Sequence, residues 1–224
     1  MHRRGVPMPD QVDWQNIHSI WYAQPALHRM RPGGSDYPRY EWVRDQIPGG
    51  ARVLDVGCGA GQFAHNISLD KGCQVCGVDM VGSFTRKCNT SLARGLREAG
   101  AKPGWFVCDD FSAMTTTQMR SLGVFDVVTA LEVLEHPIDV RGFRRNVKLA
   151  LPAGGKLIVT TPHPASQAIG YRYKRTHAHH VRMWTRWRLE QVFGPMLLYA
   201  EISQNRESGH CAHIGAVFTV EAEG

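Results

Sequence analysis

Apolar residues along this chain follow two rhythms. Runs at 52–56, 74–79, 104–108, 125–130 and 155–161 are short and nearly continuous in Val, Leu, Ile, Phe and Cys. Between them lie helix-length segments near 61–71, 83–99, 115–122 and 139–150. The runs predict strands buried on both faces, and the segments predict the helices that cover them. Their alternation predicts an α/β fold with a parallel sheet and helices on both faces.

The flanking regions break this rhythm. Residues 1–34 show no strong period and read as an N-terminal cover carrying Trp21 and Tyr22. Pro38 suits the first turn of a helix bearing Tyr40, Trp42, Val43 and Ile47, stopped by Pro48-Gly49-Gly50. After the last central run, 162–182 is a long His- and Arg-rich connection, expected to act as a lid over an acceptor, and a helix is predicted near 185–193. Two strand-like runs, 196–203 and 213–221, flank a turn containing Gly209 and predict an antiparallel pair. With no internal repeat or linker, the 224 residues are expected to form one domain, 1–224.

Composition adds limits. Hydrophobic content of 43% and charged content of 21% are those of an ordinary globular chain. No apolar stretch approaches the roughly 20 residues of a membrane span, and the basic start Met1-His2-Arg3-Arg4 lacks the apolar core of a signal peptide. Six scattered cysteines suit reduced thiols, so a cytoplasmic location is expected. Cys73 and Cys76 sit in a probable strand, where positions i and i+3 point to opposite faces, which argues against a shared metal. The net charge of +6 permits an anionic partner. Arg86, Lys87, Arg94 and Arg97, however, oppose the stripe Phe84, Cys88, Leu92 and Leu96, as a solvated helix face does.

Chemistry enters where strands end. Gly57-Cys58-Gly59-Ala60-Gly61 follows the first strand and permits a tight turn close to a ligand. Gln62 stands where a dinucleotide fingerprint needs glycine, which counts against a nicotinamide enzyme. The second strand ends in Asp79, at the distance expected of a ribose-binding carboxylate, and the third in Asp109-Asp110. Together "VLDVGCGAGQF", "GVDM", "CDDF", "FDVVTALEVLEHP" and "LPAGGKLIVTTP", from about residue 50 to 162, resemble the class I S-adenosylmethionine-dependent methyltransferases. The resemblance implies a Rossmann-like doubly wound seven-stranded sheet of order 3-2-1-4-5-7-6, with strand 7 antiparallel. It further implies that Asp55, Gly57, Cys58, Gly59 and Gly61 shape the methionine pocket. Asp79 and Met80 would line the ribose, with Asp109 and the backbone near Asp110 at adenine.

The acceptor is harder to read. No Asn/Asp-Pro-Pro-Tyr and no Pro-Cys follows the fourth strand, so base methylation of DNA by either route is not expected. "LEVLEHP" stands there instead, and a helical turn beginning at Glu132 would set Glu132, Glu135 and His136 on one face. The E-x-x-E-H, with the later His180-Val-Arg-Met-Trp184-Thr185-Arg186, is similar to small-RNA 3′-terminal 2′-O-methyltransferases. That resemblance implies a divalent metal on Glu132, Glu135, His136 and His180. Related E-x-x-E-H stretches occur in ubiquinone-pathway O-methyltransferases, which act on catechol-like rings.

Two carboxylates and two imidazoles suit Mn²⁺, Fe²⁺, Co²⁺ or Zn²⁺ better than Mg²⁺. The alternative has Glu132 or Glu135 capping a helix or pairing with Arg39 or Arg182, with His136 as a catalytic general base. Arg182-Met183 replaces the Phe-Glu of the RNA enzymes, and His163-Pro164 replaces their Asn-containing stretch. His163, His177 and His179 read as surface or lid residues. The cluster Tyr171, Arg172, Tyr173, Lys174 and Arg175 suits phosphates or a mobile lid equally. The expected activity is O-methylation of a small-molecule hydroxyl. RNA ribose methylation is the alternative, and a non-catalytic cofactor-binding module the third reading.

Overall fold

The structure, a computed structural model, describes residues 30–172, 179–203 and 211–220. The elements run in the order α1 (Tyr37–Gln46), β1 (Arg52–Val56), α2 (Gln62–Lys71), β2 (Gln74–Asp79), α3 (Gly82–Lys87) and α4 (Ala93–Glu98). There follow β3 (Trp105–Cys108), α5 (Thr116–Leu122), β4 (Val127–Leu131), α6 (Val140–Ala150), β5 (Lys156–Pro162) and α7 (Pro164–Arg172). The chain closes with α8 (Arg186–Phe193), β6 (Leu198–Ser203) and β7 (Cys211–Thr219). One sheet holds all seven strands in the order β3-β2-β1-β4-β5-β7-β6. Only the β5–β7 and β6–β7 pairings are antiparallel. The expected sheet order and the inverted strand are therefore observed.

The central strands are continuous apolar runs because both faces are covered. Leu54, Cys76, Val128 and Leu157 pack on one side with Phe143, Trp184 and Leu189. Val53, Val75, Val127 and Ile158 pack on the other with Tyr40, Val43 and Ile67. Cys73 and Cys76 fall into these opposite layers and are both free and buried. The Tyr40 hydroxyl donates to Asp70 at 2.6 Å, fixing α1 beside α2.

Three differences from the expected elements have physical reasons. The single helix expected at 83–99 is interrupted by a π-helical turn at Cys88–Leu92. It turns Asn89 toward β3, where its side chain donates to Phe106 O at 2.7 Å and accepts from Phe106 N at 2.9 Å. The connection expected over 162–182 begins with α7, whose Pro164 needs no N–H partner at a helix start and whose Ala165 N donates to the His163 ring. No helix begins at Glu132. Pro137 disfavours a helical backbone at His136, and α6 starts only at Val140, capped by Asp139 accepting from Arg141 N.

Trp21, Tyr22, Tyr173, Lys174, Arg175, His177 and the Gly209 turn lie outside the described residues. Among the described residues no helix is long and apolar enough to cross a membrane.

Candidate active site

The carboxyl ends of β1, β2, β3 and β4 open onto one cavity of about 380 Å³, within the usual size of small-ligand sites. The turn after β1 is glycine-dependent for two reasons. Gly57 has φ +72° and a side chain there would meet Val133 at 2.5 Å; Gly59 has φ +52° and turns its N–H onto Asp79. Asp79 accepts from Gly59 N and from Val81 N, both at 2.8 Å, so two backbone amides fix its carboxylate at the cavity wall. Asp109 is held the same way, accepting from Asp110 N and from the Gln118 amide at 2.8 Å.

Asp55 lies deeper, 3% exposed, and accepts from the Thr129 hydroxyl at 2.8 Å. Burial pushes its carboxyl up to about 7; Thr129 opposes this and the charge of Asp79 adds to it. Asp55, Gly57, Cys58, Gly59, Asp79, Met80, Asp109 and Asp110 all line the cavity, and Phe63 and Phe111 supply apolar wall. Gly61 precedes α2 at φ +82° and is not part of the lining.

Beyond β4 the chain makes a turn rather than a helix. Glu132 has φ +58°, the one positive φ outside glycine among the described residues, and its N–H extends the β4–β5 ladder to Thr160 O at 2.9 Å. Its carboxylate faces Arg39 of α1 at 3.3 Å and His213 of β7 at 3.2 Å. Burial opposes the charge, but His213 and Arg39 outweigh it and hold the carboxyl at about 2.

Glu135 behaves in the opposite way. It is 0% exposed, and neither oxygen accepts a well-formed hydrogen bond from the described residues. Burial, and next the charge of Glu132, push its carboxyl well up. Its neighbours are imidazoles: the His180 ring lies 4.0 Å from Glu135, and the His136 and His180 rings meet edge to face at 5.0 Å. Glu135, His136 and His180 each offer a ligating atom within 4.8 Å of the others. Glu132 stands outside that group, although all four residues line the cavity.

A family model described as a methyltransferase domain matches residues 28–206. The chain belongs to that family. The sheet order and its antiparallel seventh strand make it a class I S-adenosylmethionine-dependent methyltransferase. It is 32% identical over 139 residues to a ubiquinone biosynthesis O-methyltransferase of Xanthomonas axonopodis pv. citri, covering 62% of this chain and 52% of that protein. A ubiquinone biosynthesis O-methyltransferase of Coxiella burnetii is 32% identical over 167 residues, covering 72% and 64%. The chain thus spans between half and two thirds of the length of these curated relatives. A TehB-like S-adenosylmethionine-dependent methyltransferase from Corynebacterium glutamicum superposes with a TM-score of 0.60 at 20% identity, over 91% of this chain and 98% of that one, which shows the fold.

The methyltransferase cavity fits its cofactor. Anchored carboxylates at Asp79 and Asp109 suit hydroxyl and amino donors, Phe63 and Phe111 suit an adenine face, and buried Asp55 would gain from a nearby positive charge. Of the alternatives weighed for the acidic pair, Glu132 does pair with Arg39. Arg182 instead bonds main-chain carbonyls. His163 lies at the start of α7, 3.7 Å from Glu201, whereas His179 lines the cavity. His213 escaped notice because a lone histidine within the apolar run of β7 carries no motif. Its signal was the polar interruption of a strand whose next five residues are all buried or apolar.

Proposed function

We propose that this methyltransferase methylates a hydroxyl of a small molecule, and that Glu135, His136 and His180 hold a divalent cation beside that hydroxyl. One observation carries the proposal: a fully buried carboxylate that accepts no well-formed hydrogen bond from the described residues faces two imidazoles in the cavity wall. A buried carboxylate left this way is costly unless a cation or a proton answers it. Two imidazoles and one carboxylate suit Mn²⁺, Fe²⁺, Co²⁺ or Zn²⁺. Such an ion would lower the pKa of a coordinated hydroxyl. The ubiquinone biosynthesis O-methyltransferase relatives support a hydroxyl acceptor.

Bound S-adenosylmethionine supplies a methyl group on a sulfonium, whose departing thioether is neutral and needs no proton. What the protein must do is orient the hydroxyl in line with that methyl and take up its proton. An oxygen lone pair forms the new C–O bond, the C–S electrons return to sulfur, and the hydroxyl proton passes to water or, where no ion is held, to His136. Asp79 and the glycine turn grip the donor, while the Glu135–His136–His180 end orients the acceptor.

The test incubates the protein with methyl-labelled cofactor and, separately, cell metabolites and cell RNA, with and without chelator. Label in a small hydroxyl compound, lost on chelation and restored by Mn²⁺, is the expected result. Label in RNA would transfer the same chemistry to a terminal ribose. Label in neither pool would leave a cofactor-binding module without catalysis. Full turnover after chelation would remove the ion and leave His136 as a base.

A further inference from the structure

His180 sits on irregular chain between α7 and α8, with no helix or strand to hold it, yet its imidazole is set against Glu135 and His136. The backbone explains how. Val181 N and Arg182 N both donate to Glu135 O, at 2.9 and 3.1 Å. The Arg182 guanidinium then reaches back across Pro137, donating to His136 O through one nitrogen and to Ile138 O at 2.8 Å through another. Gln167 of α7, 2% exposed, donates to Arg182 O at 3.0 Å, and the Trp184 indole donates to Leu134 O at 2.8 Å. Pro137 has no N–H to offer Leu134 O, which takes the Trp184 indole instead, while His136 O accepts from Ile138 N at 2.8 Å as well as from Arg182. A planar guanidinium can serve two carbonyls at once with fixed geometry; an ammonium holds no such plane.

We propose that Arg182 is the positioning residue of the acceptor end: by locking 180–184 onto the turn 134–138 it sets where the His180 ring stands relative to Glu135 and His136. The inference rests on the reading of that trio as the acceptor-facing group. It makes position 182 a determinant of acceptor geometry without contact with cofactor or acceptor.

The experiment uses the full chain with ring-labelled histidine, the His180 resonance being assigned from the spectrum of His180→Ala. Arg182→Ala is expected to unfold cooperatively and to bind S-adenosylhomocysteine within about twofold of wild type. Its His180 signal should move toward that of an exposed imidazole, and its kcat should fall at least tenfold on the acceptor that the labelling test identifies, with a smaller change in cofactor KM. Arg182→Lys should recover part of both effects. A His180 resonance that stays in place in folded Arg182→Ala overturns the proposal. Should Arg182→Ala fail to fold, Gln167→Ala, which removes the donor to Arg182 O, is expected to shift the His180 signal the same way by less, and an unmoved signal there overturns it equally. His180→Ala with full activity would instead sink the acceptor reading, while the spectra still judge Arg182 on its own.

Discussion

Asp79 accepts a backbone amide on each oxygen, from Gly59 and Val81, and these hold its carboxylate in a fixed direction. Preorganised acceptors of this kind bind diol hydroxyls without ordering cost at the moment of binding. Asp79→Ala should lose two charged hydrogen bonds, each worth roughly 1.5–3 kcal/mol, and calorimetry should show S-adenosylhomocysteine binding weakened at least 100-fold. Unchanged affinity in a folded variant would move the nucleoside elsewhere. Asp55 carries a different consequence. Its carboxyl stands at about 7 when folded, mainly through burial, against an ordinary 3.8. The raised value means that the folded chain keeps a proton which the unfolded chain releases first. The stability this confers is complete below about pH 4 and is lost as pH rises through 7, by about 4 kcal/mol at most. The melting temperature of the cofactor-free protein should therefore fall between pH 5 and 8, and that of Asp55→Asn should fall less. Parallel curves for the two proteins would refute the assignment.

At the scale of elements, the strands were legible because a doubly covered parallel strand has no polar face to disguise it, whereas their order followed only from the resemblance to class I methyltransferases. The glycine turn and the acids ending β2 and β3 were legible for a related reason, since backbone approach and charge at strand ends leave few residue types possible. What escaped was geometry that adds no period. The π-helical turn at Cys88–Leu92 leaves the apolar spacing almost intact, so Asn89 reads as one more exposed polar residue. It acts instead as a substitute cross-strand partner for Phe106 on the open edge of β3. Asn89→Ala should cost about 1–3 kcal/mol in denaturant unfolding and speed amide exchange in β3 before that of β1. Uniform exchange across both strands would deny Asn89 that role. The "LEVLEHP" stretch was misjudged for want of one consideration. Helical spacing put its acids on one face, but Pro137 denies His136 the helical backbone that the spacing requires.

At the scale of the whole molecule, the site draws on parts far apart in sequence. The cavity wall draws on β1 to β3, the turn after β4 supplies the acids, and Arg39 of α1 and His213 of β7 meet Glu132. Ligands of open α/β sheets bind at the carboxyl edge where strand order reverses, here between β1 and β4. Two glutamates three residues apart consequently meet opposite surroundings. Glu132 ties α1, β4 and β7 together as an anion, its carboxyl held down at about 2 against the penalty of burial. Glu135 is buried, accepts no well-formed hydrogen bond from the described residues, and its carboxyl is pushed well up by burial and by Glu132. The signs then separate. The stability from ionised Glu132 is present above about pH 4.5 and lost as pH falls toward 2, so Glu132→Gln should lower the melting temperature at pH 7, by roughly 5 °C. The stability tied to Glu135 is present while it is protonated and lost as pH rises, so in metal-free protein at pH 8 Glu135→Gln should melt no lower than wild type, and higher if the strain is substantial. Metal affinity should divide the other way. Calorimetric Mn²⁺ binding should survive Glu132→Gln and vanish in Glu135→Gln, because only Glu135 shares a ligating cluster with His136 and His180. A Glu132→Gln protein that keeps its melting temperature and loses Mn²⁺ would return Glu132 to the ligand set and release Arg39 and His213 from the tie assigned to them.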